Sequence, residues 1–280
     1  MTKYKSLPIA TAYWKPGQNY LRIITRSIEG KVADNDFIVV SEKAISTALN
    51  NIVDEDRVKP NLNARFIATF WMPTIWGYLL GPLCRLQKRL LENLRKYPKE
   101  NGSRHKQVTL RHAGLLQALM FGSEGGIDGS NLPYAYVSLP LKSASWIALM
   151  IRRQVQFDLG KNISVLIVDT DKTYSFGNFH FTPHPRPIRG IHSLGGFLSY
   201  TAGRFFKLKS RATPLAVAGK KLPTSEALRI ADLANRSRGF GAGRTVWDMA
   251  AGFHVGLTDV SWQMLEGVKH KPIVIVRRKR

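Results

Sequence analysis

Runs of apolar residues separated by polar turns predict a layered arrangement of strands and helices along this chain. The clearest strand covers residues 164–168, which are nearly all apolar and mostly β-branched or Leu. Apolar runs at residues 37–40, 213–218 and 272–276 predict further strands. Apolar residues recur at helical spacing in residues 143–159, before Gly160, and in residues 223–237, before Gly239. The helix that precedes strand 164–168 indicates the α-then-β half of a layered sheet.

Residues 66–84 form an uncharged stretch, FIATFWMPTIWGYLLGPLC, between Arg65 and Arg85. Its length would nearly span a bilayer as a helix, but its prolines and glycines interrupt a helical pattern. We expect a buried or dimer-facing hydrophobic hairpin, and the alternative is contact with a membrane interface, which the neighbouring basic residues favour. A helix with one apolar face follows and ends before Pro98.

Two other polar regions predict irregular structure. Residues 101–106 are predicted as a loop and residues 108–112 as a strand. Residues 174–211, rich in proline, aromatic and basic residues, are predicted as a long irregular excursion. Its histidines, His180, His184 and His192, could bind a transition metal, but their spacing fits no familiar ligand pattern.

Candidate chemistry lies at the end of strand 164–168, where Asp169, Thr170 and Asp171 follow the apolar run. Such strand ends are where α/β sheets usually carry their sites. A second acidic point, Asp128, stands between glycines in the sequence GGIDGSN, and glycine lets a backbone approach a ligand closely. We therefore expect Asp128 and Asp169 to converge on one metal–phosphate site. The alternative is that Asp169 caps a turn and Asp128 lies in a solvated loop.

Hydroxyl and lysine side chains follow strand 37–40. Ser41, Lys43 and Ser46 suit phosphate oxygens at the start of a helix, although simple helix capping by Ser41 would explain the same pattern. Arg111 and His112 could hold an anionic substrate.

Composition bears on the partners of the chain. Its 280 residues are 44% hydrophobic and carry a formal net charge of +23, which indicates polyanionic ligands or surfaces. No RNA-recognition, zinc-finger or helix-turn-helix pattern is evident. The single cysteine, Cys84, excludes an internal disulfide, and residues 1–30 show no secretory signal, so we expect a cytoplasmic protein.

The order of these motifs resembles the gamma-glutamyl ligases of the deazaflavin coenzyme F-420. The resemblance rests on FIVVSEKAIS, Arg111-His112, GIDGSN and VLIVDT, and it covers roughly residues 20–60 and 105–175, with residues 272–276 matching the last strand. It implies an α+β fold with a mixed sheet and flanking helices. Residues 1–280 would then form a single ligase-like region with a hydrophobic insertion at 62–100 and the excursion at 174–211.

The resemblance implies a GTP-dependent ligation that uses Mn or Mg in a homodimer. The γ-phosphate of GTP would activate a carboxylate of the deazaflavin coenzyme precursor as an acyl phosphate, and the amine of L-glutamate would displace phosphate. The implied metal ligands are Asp128, Asp169 and Thr170, with Asp171 or Asp248 in place of the family's later acidic residues. Nucleotide and substrate contacts are implied for Ser41, Lys43, Ser46, Ser130, Asn131, Arg111 and His112.

The chain departs from the family pattern where Thr47 replaces a lysine and where a glutamine-containing segment after Asp169-Thr170 has no counterpart. Two other interpretations therefore stand beside the ligase. One is a non-catalytic homologue that binds nucleotide or coenzyme. The other is a basic protein associated with RNA or a membrane.

Overall fold

The computed structural model describes residues 3–122 and 124–279 of the chain. Its strands are β1 (Tyr4–Thr11), β2 (Phe37–Ser41), β3 (Ile52–Asp54), β4 (Tyr136–Ser138), β5 (Ser164–Phe176), β6 (Phe179–Thr182), β7 (His192–Ser193), β8 (Lys209–Ala218) and β9 (His270–Arg278). The α-helices are α1 (Tyr20–Ile28), α2 (Glu42–Ala48), α3 (Leu62–Phe66), α4 (Gly81–Leu83), α5 (Lys88–Arg95), α6 (Lys99–His112), α7 (Leu115–Ala118), α8 (Ala144–Leu159), α9 (Gly196–Phe205), α10 (Thr224–Arg238), α11 (Val246–Phe253) and α12 (Trp262–Glu266). A 3₁₀ turn covers Glu55–Arg57, and a π-helical segment, Ile67–Leu80, joins α3 to α4.

The large sheet is mixed, which confirms the predicted α+β class. Its strands run in the order β1-β9-β2-β5-β6-β7, and β8 pairs along β5. The β2–β5 and β6–β7 pairs are parallel and the other pairs of this sheet are antiparallel. Strands β3 and β4 form a separate antiparallel pair. The parallel β2–β5 pair aligns Phe37 with Ser164 and Ser41 with Val168, so both chains reach the same edge of the sheet together.

Helices cover both faces of the sheet because its central strands are apolar on both sides. Side chains alternate between faces along a strand, and Ile38 and Val40 of β2 pack with α1, α2 and α8, whereas Phe37 and Val39 pack with α10. Each fully buried aliphatic side chain of these layers stabilises the fold by about 1.5–3 kcal/mol. The predicted helices at 143–159 and 223–237 are confirmed, and Gly160 ends α8 in the left-handed conformation, φ 63°.

The uncharged stretch does not form the expected hairpin. α3, the π-helical segment and α4 continue as one helical rod from Leu62 to Leu83. Two of the glycines that suggested breaks in a helix instead allow the rod to pack closely against α5. A Cβ at Gly77 would lie 2.9 Å from Arg95 Cγ, and one at Gly81 would lie 2.5 Å from Leu91 Cδ2, both in or beside α5. No helix in residues 3–122 and 124–279 is long and apolar enough to cross a membrane.

The predictions for residues 101–112 are wrong, because this region is helix α6. Its polar residues face the protein interior, which hides the helical pattern in the sequence. Gly102 lies against the Tyr97 ring, and Lys106 is fully buried beside the carboxylate of Glu124. The helix forms because tertiary partners satisfy these polar groups.

Regular structure also replaces most of the predicted excursion at 174–211. Strand β5 does not end at Val168 but continues to Phe176, turns into β6, and is followed by β7, α9 and the start of β8. The missing side chain of Gly203 makes room for the Tyr174 ring, which a Cβ would approach to 2.2 Å. This segment therefore completes the sheet beside the candidate site.

Candidate functional site

The parallel pairing of β2 and β5 brings the two predicted motifs together. Ser41 lies opposite Val168, so the next residues of each strand, Glu42 and Lys43 on one side and Asp169 on the other, meet at one edge. Beyond this point β5 bulges against β8: Asp169 pairs with Thr213 and Lys172 with Ala212, which leaves Thr170 and Asp171 outside the regular ladder. Bulges of this kind redirect side chains next to functional sites.

The loop after α7 supplies Asp128 to the same place. Lys43 Nζ lies 2.5 Å from Asp128 Oδ2 and donates to the Ser130 carbonyl and hydroxyl at 2.7 and 2.9 Å. The backbone N–H of Ser130 donates to Asp128 Oδ1 at 2.7 Å. Asp128 is thus held by a charge-assisted hydrogen bond rather than lying free in a solvated loop.

Gly126 lets this loop pass directly over a buried acid–histidine pair. It has φ +90°, and a Cβ there would lie 2.9 Å from His184 Nε2 and 3.3 Å from Glu42 Oε2. A side chain at this position would be strained by the backbone angle and blocked by the pair. The glycine predicted to allow close approach therefore has a definite steric role.

Glu42, Asp169 and His184 form the tightest group of candidate metal ligands among the described residues. One ligand atom from each lies within 4.8 Å of the others, and all three side chains are buried. The Leu141 N–H donates to Glu42 Oε1 at 2.7 Å, and His184 Nε2 lies 3.3 Å from Glu42 Oε2. Burial raises the pKa of Glu42, and the charge of His184 offsets part of that rise. Burial by itself would lower the pKa of His184, but the Glu42 carboxylate outweighs it and raises that pKa.

The tautomer of His184 follows from its second nitrogen. His184 Nδ1 accepts a hydrogen bond from the Arg186 backbone N–H at 3.2 Å, so a neutral ring carries its proton on Nε2, facing Glu42. A nitrogen that carries a proton cannot bind a metal. The ligands available to a cation are therefore carboxylate oxygens, which suit Mg or Mn.

Asp171 is a buried carboxylate that is only 3% exposed. Among residues 3–122 and 124–279, neither of its oxygens has a hydrogen-bond partner. Burial, followed by the charges of Asp169, Asp128 and Glu42, raises its pKa well above the ordinary value, and the nearby Gly126 N–H offsets little of this. An orphaned buried carboxylate among three others is the environment that a divalent cation neutralises, so these residues fit such an ion.

A cavity of about 360 Å³ opens beside this acidic group and is markedly basic. Its walls include Ser41, Lys43, Asp128, Ser130, Asp169, Thr170, Lys172, Arg238, Arg244 and Lys271. Ser41 makes no capping hydrogen bond to α2, so its hydroxyl stays available to a ligand. Burial, together with the charges of Arg238 and Lys43, lowers the pKa of His270 in this wall to about 4, although a hydrogen bond with the Ala12 backbone opposes the shift. The cavity has the size and charge to bind a polyphosphate.

A second cavity of about 320 Å³ lies on the other side of the same residues and is mainly apolar. Its aromatic lining consists of Tyr97, Phe121, Tyr134, Tyr136, Tyr200 and Trp247. Asp128, Thr170, Lys172 and Arg244 line both cavities. The two cavities therefore meet at the candidate acidic site, which is the arrangement that transfer between two bound molecules requires.

Asn131 plays a structural part that the sequence did not indicate. Its Oδ1 accepts hydrogen bonds from the Ala242 N–H at 2.6 Å and the Tyr13 hydroxyl at 3.1 Å, and its Nδ2 donates to the Gly243 carbonyl at 2.9 Å. Through these bonds, Asn131 holds the glycine-rich loop that walls the basic cavity. It lines that cavity with one Nδ2 hydrogen left over from these bonds.

Several predicted site residues are not brought to either cavity. Ser46 is fully buried, and its hydroxyl donates to the Leu139 carbonyl. Arg111 and His112 are exposed at the end of α6, because that segment is a helix rather than a strand leading to Asp128. Asp248 accepts from Thr245 Oγ1 at 2.9 Å in the first turn of α11 and lines neither cavity.

Sequence reasoning missed two members of the acidic group. Glu42 stands between Ser41 and Lys43, and its position at the end of β2 was the signal that could have found it. His184 appeared only as one of three histidines in the segment predicted as irregular. The Thr182 hydroxyl accepts from the His184 N–H at 3.2 Å and contacts Thr213 Oγ1 at 3.1 Å, so neighbouring strands fix the backbone of His184.

The fold and the site together define an α+β protein with buried carboxylates between a basic and an aromatic cavity. Comparison with known proteins identifies the family of the chain. A family model described as F420-0:gamma-glutamyl ligase matches residues 8–237, and the chain belongs to this family. It is also 35% identical over 289 residues to the uncharacterized protein MJ1361 of Methanocaldococcus jannaschii. The alignment covers 98% of this chain and 97% of the relative. The family is one of ligases that join glutamate to a coenzyme F-420 precursor.

Proposed function

We propose that this protein is a GTP- and metal-dependent ligase that joins L-glutamate to a carboxylate of the F-420 precursor, or of a related anionic acid. The carboxylate oxygen attacks the γ-phosphorus of GTP, and GDP leaves with the electrons of the broken P–O bond. The glutamate nitrogen then attacks the acyl carbon, a C–N bond forms, and phosphate leaves as the nitrogen loses its proton. Each step needs positioning and neutralisation of charge more than covalent help from the protein.

The observation that carries this proposal is the wall shared by the two cavities. The basic cavity suits the triphosphate of a nucleotide, and the aromatic cavity suits the flat ring of a deazaflavin. Asp128, Thr170 and Lys172 stand between them, where a γ-phosphate and an acceptor carboxylate would meet. A binding protein for a single ligand would not need two cavities that meet at buried carboxylates.

We expect Asp169 and Asp171 to hold a divalent cation, because Asp169 belongs to the buried ligand group with Glu42 and the charges of Asp169, Asp128 and Glu42 all act on Asp171. Such an ion would neutralise phosphate oxygens during transfer. Thr170, between the two aspartates, completes the set that the family resemblance implies. His184 Nε2 lies 3.3 Å from Glu42 Oε2 without forming a hydrogen bond among the described residues, so we expect it to hold that carboxylate by charge rather than to bind the ion.

Lys43, Lys172 and Arg238 are the side chains that we expect to bind the phosphates. Burial lowers the pKa of Lys172, and the charges of Asp232, Asp169 and Asp171 offset part of that shift. Burial also lowers the pKa of Arg238, which Asp169 partly offsets. Cations held next to buried carboxylates keep their positions before the nucleotide arrives, which limits the reorganisation that binding requires.

The proposal is tested by the thermal stability of the purified protein with GTP, ATP or no nucleotide, each with and without Mn. A ligand that binds only the folded state at a hundredfold excess over its Kd stabilises it by about 2.7 kcal/mol. We expect this shift only when GTP and Mn are both present. Asp169→Asn should lose the shift, whereas Asp158→Asn, a surface change on α8, should keep it.

A radiolabelled glutamate assay with the F-420 precursor completes the test. Ligation by the wild type and none by Asp169→Asn is the expected result. A GTP–Mn shift without ligation of any acid would identify a non-catalytic nucleotide-binding homologue. The absence of any shift would contradict the nucleotide site itself.

A further inference from the structure

The helical rod from Leu62 to Leu83 presents an outward apolar face that the ligase chemistry does not use. We call it the apolar stripe, and it consists of Leu62, Phe66, Phe70, Tyr78, Leu79 and Leu83. Leu62 is 84% exposed, Tyr78 66% and Leu79 60%. Between these positions the buried residues, such as Ala64, Ala68 and Met72, recur every four residues and face the protein. The stripe is therefore the outer side of a rod whose buried and exposed sides are both largely apolar.

Side-chain hydrogen bonds anchor the rod that carries the stripe to the rest of the protein. The indole N–H groups of Trp71 and Trp76 both donate to the Leu119 carbonyl, at 2.8 and 2.6 Å. The exposed rings of Phe66 and Phe70 stack with their centroids 5.2 Å apart. Docking on this surface would not require the rod to fold.

The end of α9 extends the apolar surface beyond the C-terminal end of the rod. Arg204, in α9, donates from Nε to the Cys84 carbonyl at 3.0 Å and from a terminal nitrogen to the Arg85 carbonyl at 3.2 Å. These bonds bring the end of α9 beside Leu83. The next residues, Phe205 and Phe206, are 49% and 67% exposed.

Charge at the margins of the stripe favours one kind of partner. No charged residue lies between Arg65 and Arg85, and from Leu62 to Lys99 the one acidic residue is Glu92. Arg65 and Arg85 flank the central part of the stripe along the chain. Lys88, Arg89 and Lys207 are also exposed and basic, although Arg89 lies 3.9 Å from Asp248. An uncharged apolar face with a basic margin is complementary to a bilayer whose headgroups are anionic.

We propose that the apolar stripe docks this protein peripherally onto an anionic lipid surface. The stripe would enter the boundary between headgroups and acyl chains while the basic margin contacts the headgroups. A second copy of the chain fits less well, because a symmetric contact would place the same basic margins opposite each other. Nucleic acid fits less well because the uncharged centre offers no partner to phosphates.

The test is co-sedimentation of the full-length protein with vesicles of phosphatidylcholine alone or mixed equally with phosphatidylglycerol. We expect binding to the mixed vesicles, at least tenfold weaker binding to phosphatidylcholine, and a marked loss at high salt. Lys88→Ala should weaken binding about fivefold, the effect of removing one basic residue near such a surface. The triple variant Phe66→Ser, Phe70→Ser, Leu79→Ser should weaken binding at least about a hundredfold.

Phe157→Ser provides the matched control, since Phe157 is 88% exposed on α8, away from the stripe. It should bind vesicles like the wild type, and melting curves should show that all variants fold. No binding to the mixed vesicles, or equal binding by the triple variant, would overturn the proposal. A triple variant that changes only the oligomeric state would also overturn the proposal and would assign the stripe to contact between copies. The same holds if RNA abolishes vesicle binding while the triple change has no effect on it.

Discussion

Glu124→Gln perturbs a buried charge network that attaches the loop of Asp128 to helix α6. Glu124 is fully buried, Lys106 Nζ lies 2.5 Å from its Oε1, and His105 Nε2 lies 2.9 Å from its Oε2. His105 Nδ1 lies 2.6 Å from Glu55 Oε1, so two cations face two carboxylates. Glu124 begins the turn that leads through the glycines to Asp128, and its N–H donates to the Ile127 carbonyl.

The magnitude follows from the shifted pKa values. Although burial opposes ionisation, Lys106 and His105 lower the pKa of Glu124 from 4.5 to about 2, which corresponds to about 3 kcal/mol. Burial also opposes the charge on His105, but Glu55 and Glu124 raise its pKa from 6.5 to about 10. Both shifts describe the same ion pairs and are not additive. Burial lowers the pKa of Lys106 despite the Glu124 carboxylate, which offsets part of this stabilisation. Removing one partner of a buried pair typically costs 3–5 kcal/mol, so we expect Glu124→Gln to lower the free energy of unfolding by about that amount.

The stability contributed by the network falls with acid through Glu124 and with base through His105. The contribution of Glu124 is present above pH 4.5 and is lost as the pH falls from 4.5 toward about 2, because the unfolded chain then binds more protons. The contribution of His105 is complete below pH 6.5 and is lost as the pH rises toward about 10. The network is therefore strongest between pH 4.5 and 6.5.

Urea unfolding at pH 7, and between pH 3 and pH 5, measures these effects. Adding Lys106→Met to Glu124→Gln should recover part of the loss, since no uncompensated charge then remains on that side. Glu100→Gln is the matched control: its carboxylate pairs with Arg104 while 78% exposed, and we expect a change below about 0.5 kcal/mol. A cost under about 1 kcal/mol for Glu124→Gln, with an acid profile parallel to the wild type, would refute the reasoning.

Three further predictions concern the site. Lys43→Ala should weaken GTP binding by at least about tenfold and lower thermal stability much less, because it removes a charge-assisted contact at a partly exposed site. Calorimetric titration with GTP measures the affinity, with Lys31→Ala as the control. An unchanged affinity would assign Lys43 to holding Asp128 alone. Gly126→Ala should destabilise the protein by about 1–3 kcal/mol in urea unfolding, because its Cβ would press on His184 Nε2 from a backbone with φ +90°, whereas Gly160→Ala, with open space around it, should cost less. Arg111→Ala should leave GTP affinity unchanged, since Arg111 lines neither cavity, and a loss of affinity would restore it to the site.

The sequence determined the central elements of the fold because their signals are local. The apolar runs of β2, β5, β8 and β9 and the periodic faces of α8 and α10 are visible without knowledge of the partners. Helix ends at Gly160 and Gly239 follow from the conformational freedom of glycine. The convergence of Asp128 with Asp169 was also predictable, since a parallel strand end and a glycine-flanked acid both indicate a ligand edge.

Only the tertiary structure decided which polar residues are buried and what they contact. Helix α6 could not be predicted from its sequence because Lys106 faces inward and depends on Glu124, which lies 18 residues later and outside the helix. Arg111 and His112 were assigned to the site on the expectation of a strand, and the helix turns them toward solvent. His184 joined Glu42 only because β5, β6 and β8 hold the intervening segment in place.

Tertiary packing also decided the structure of the uncharged stretch, residues 66–84. Local propensity treats Pro73, Gly77 and Gly81 as breaks, yet packing against α5 makes Gly77 and Gly81 useful and the helical rod continuous. Hydrophobicity alone could not say which side of the rod would be covered. Long-range packing decided this by placing Trp71 and Trp76 inward and leaving the apolar stripe outside, because side-chain burial depends on neighbours that sequence order does not specify.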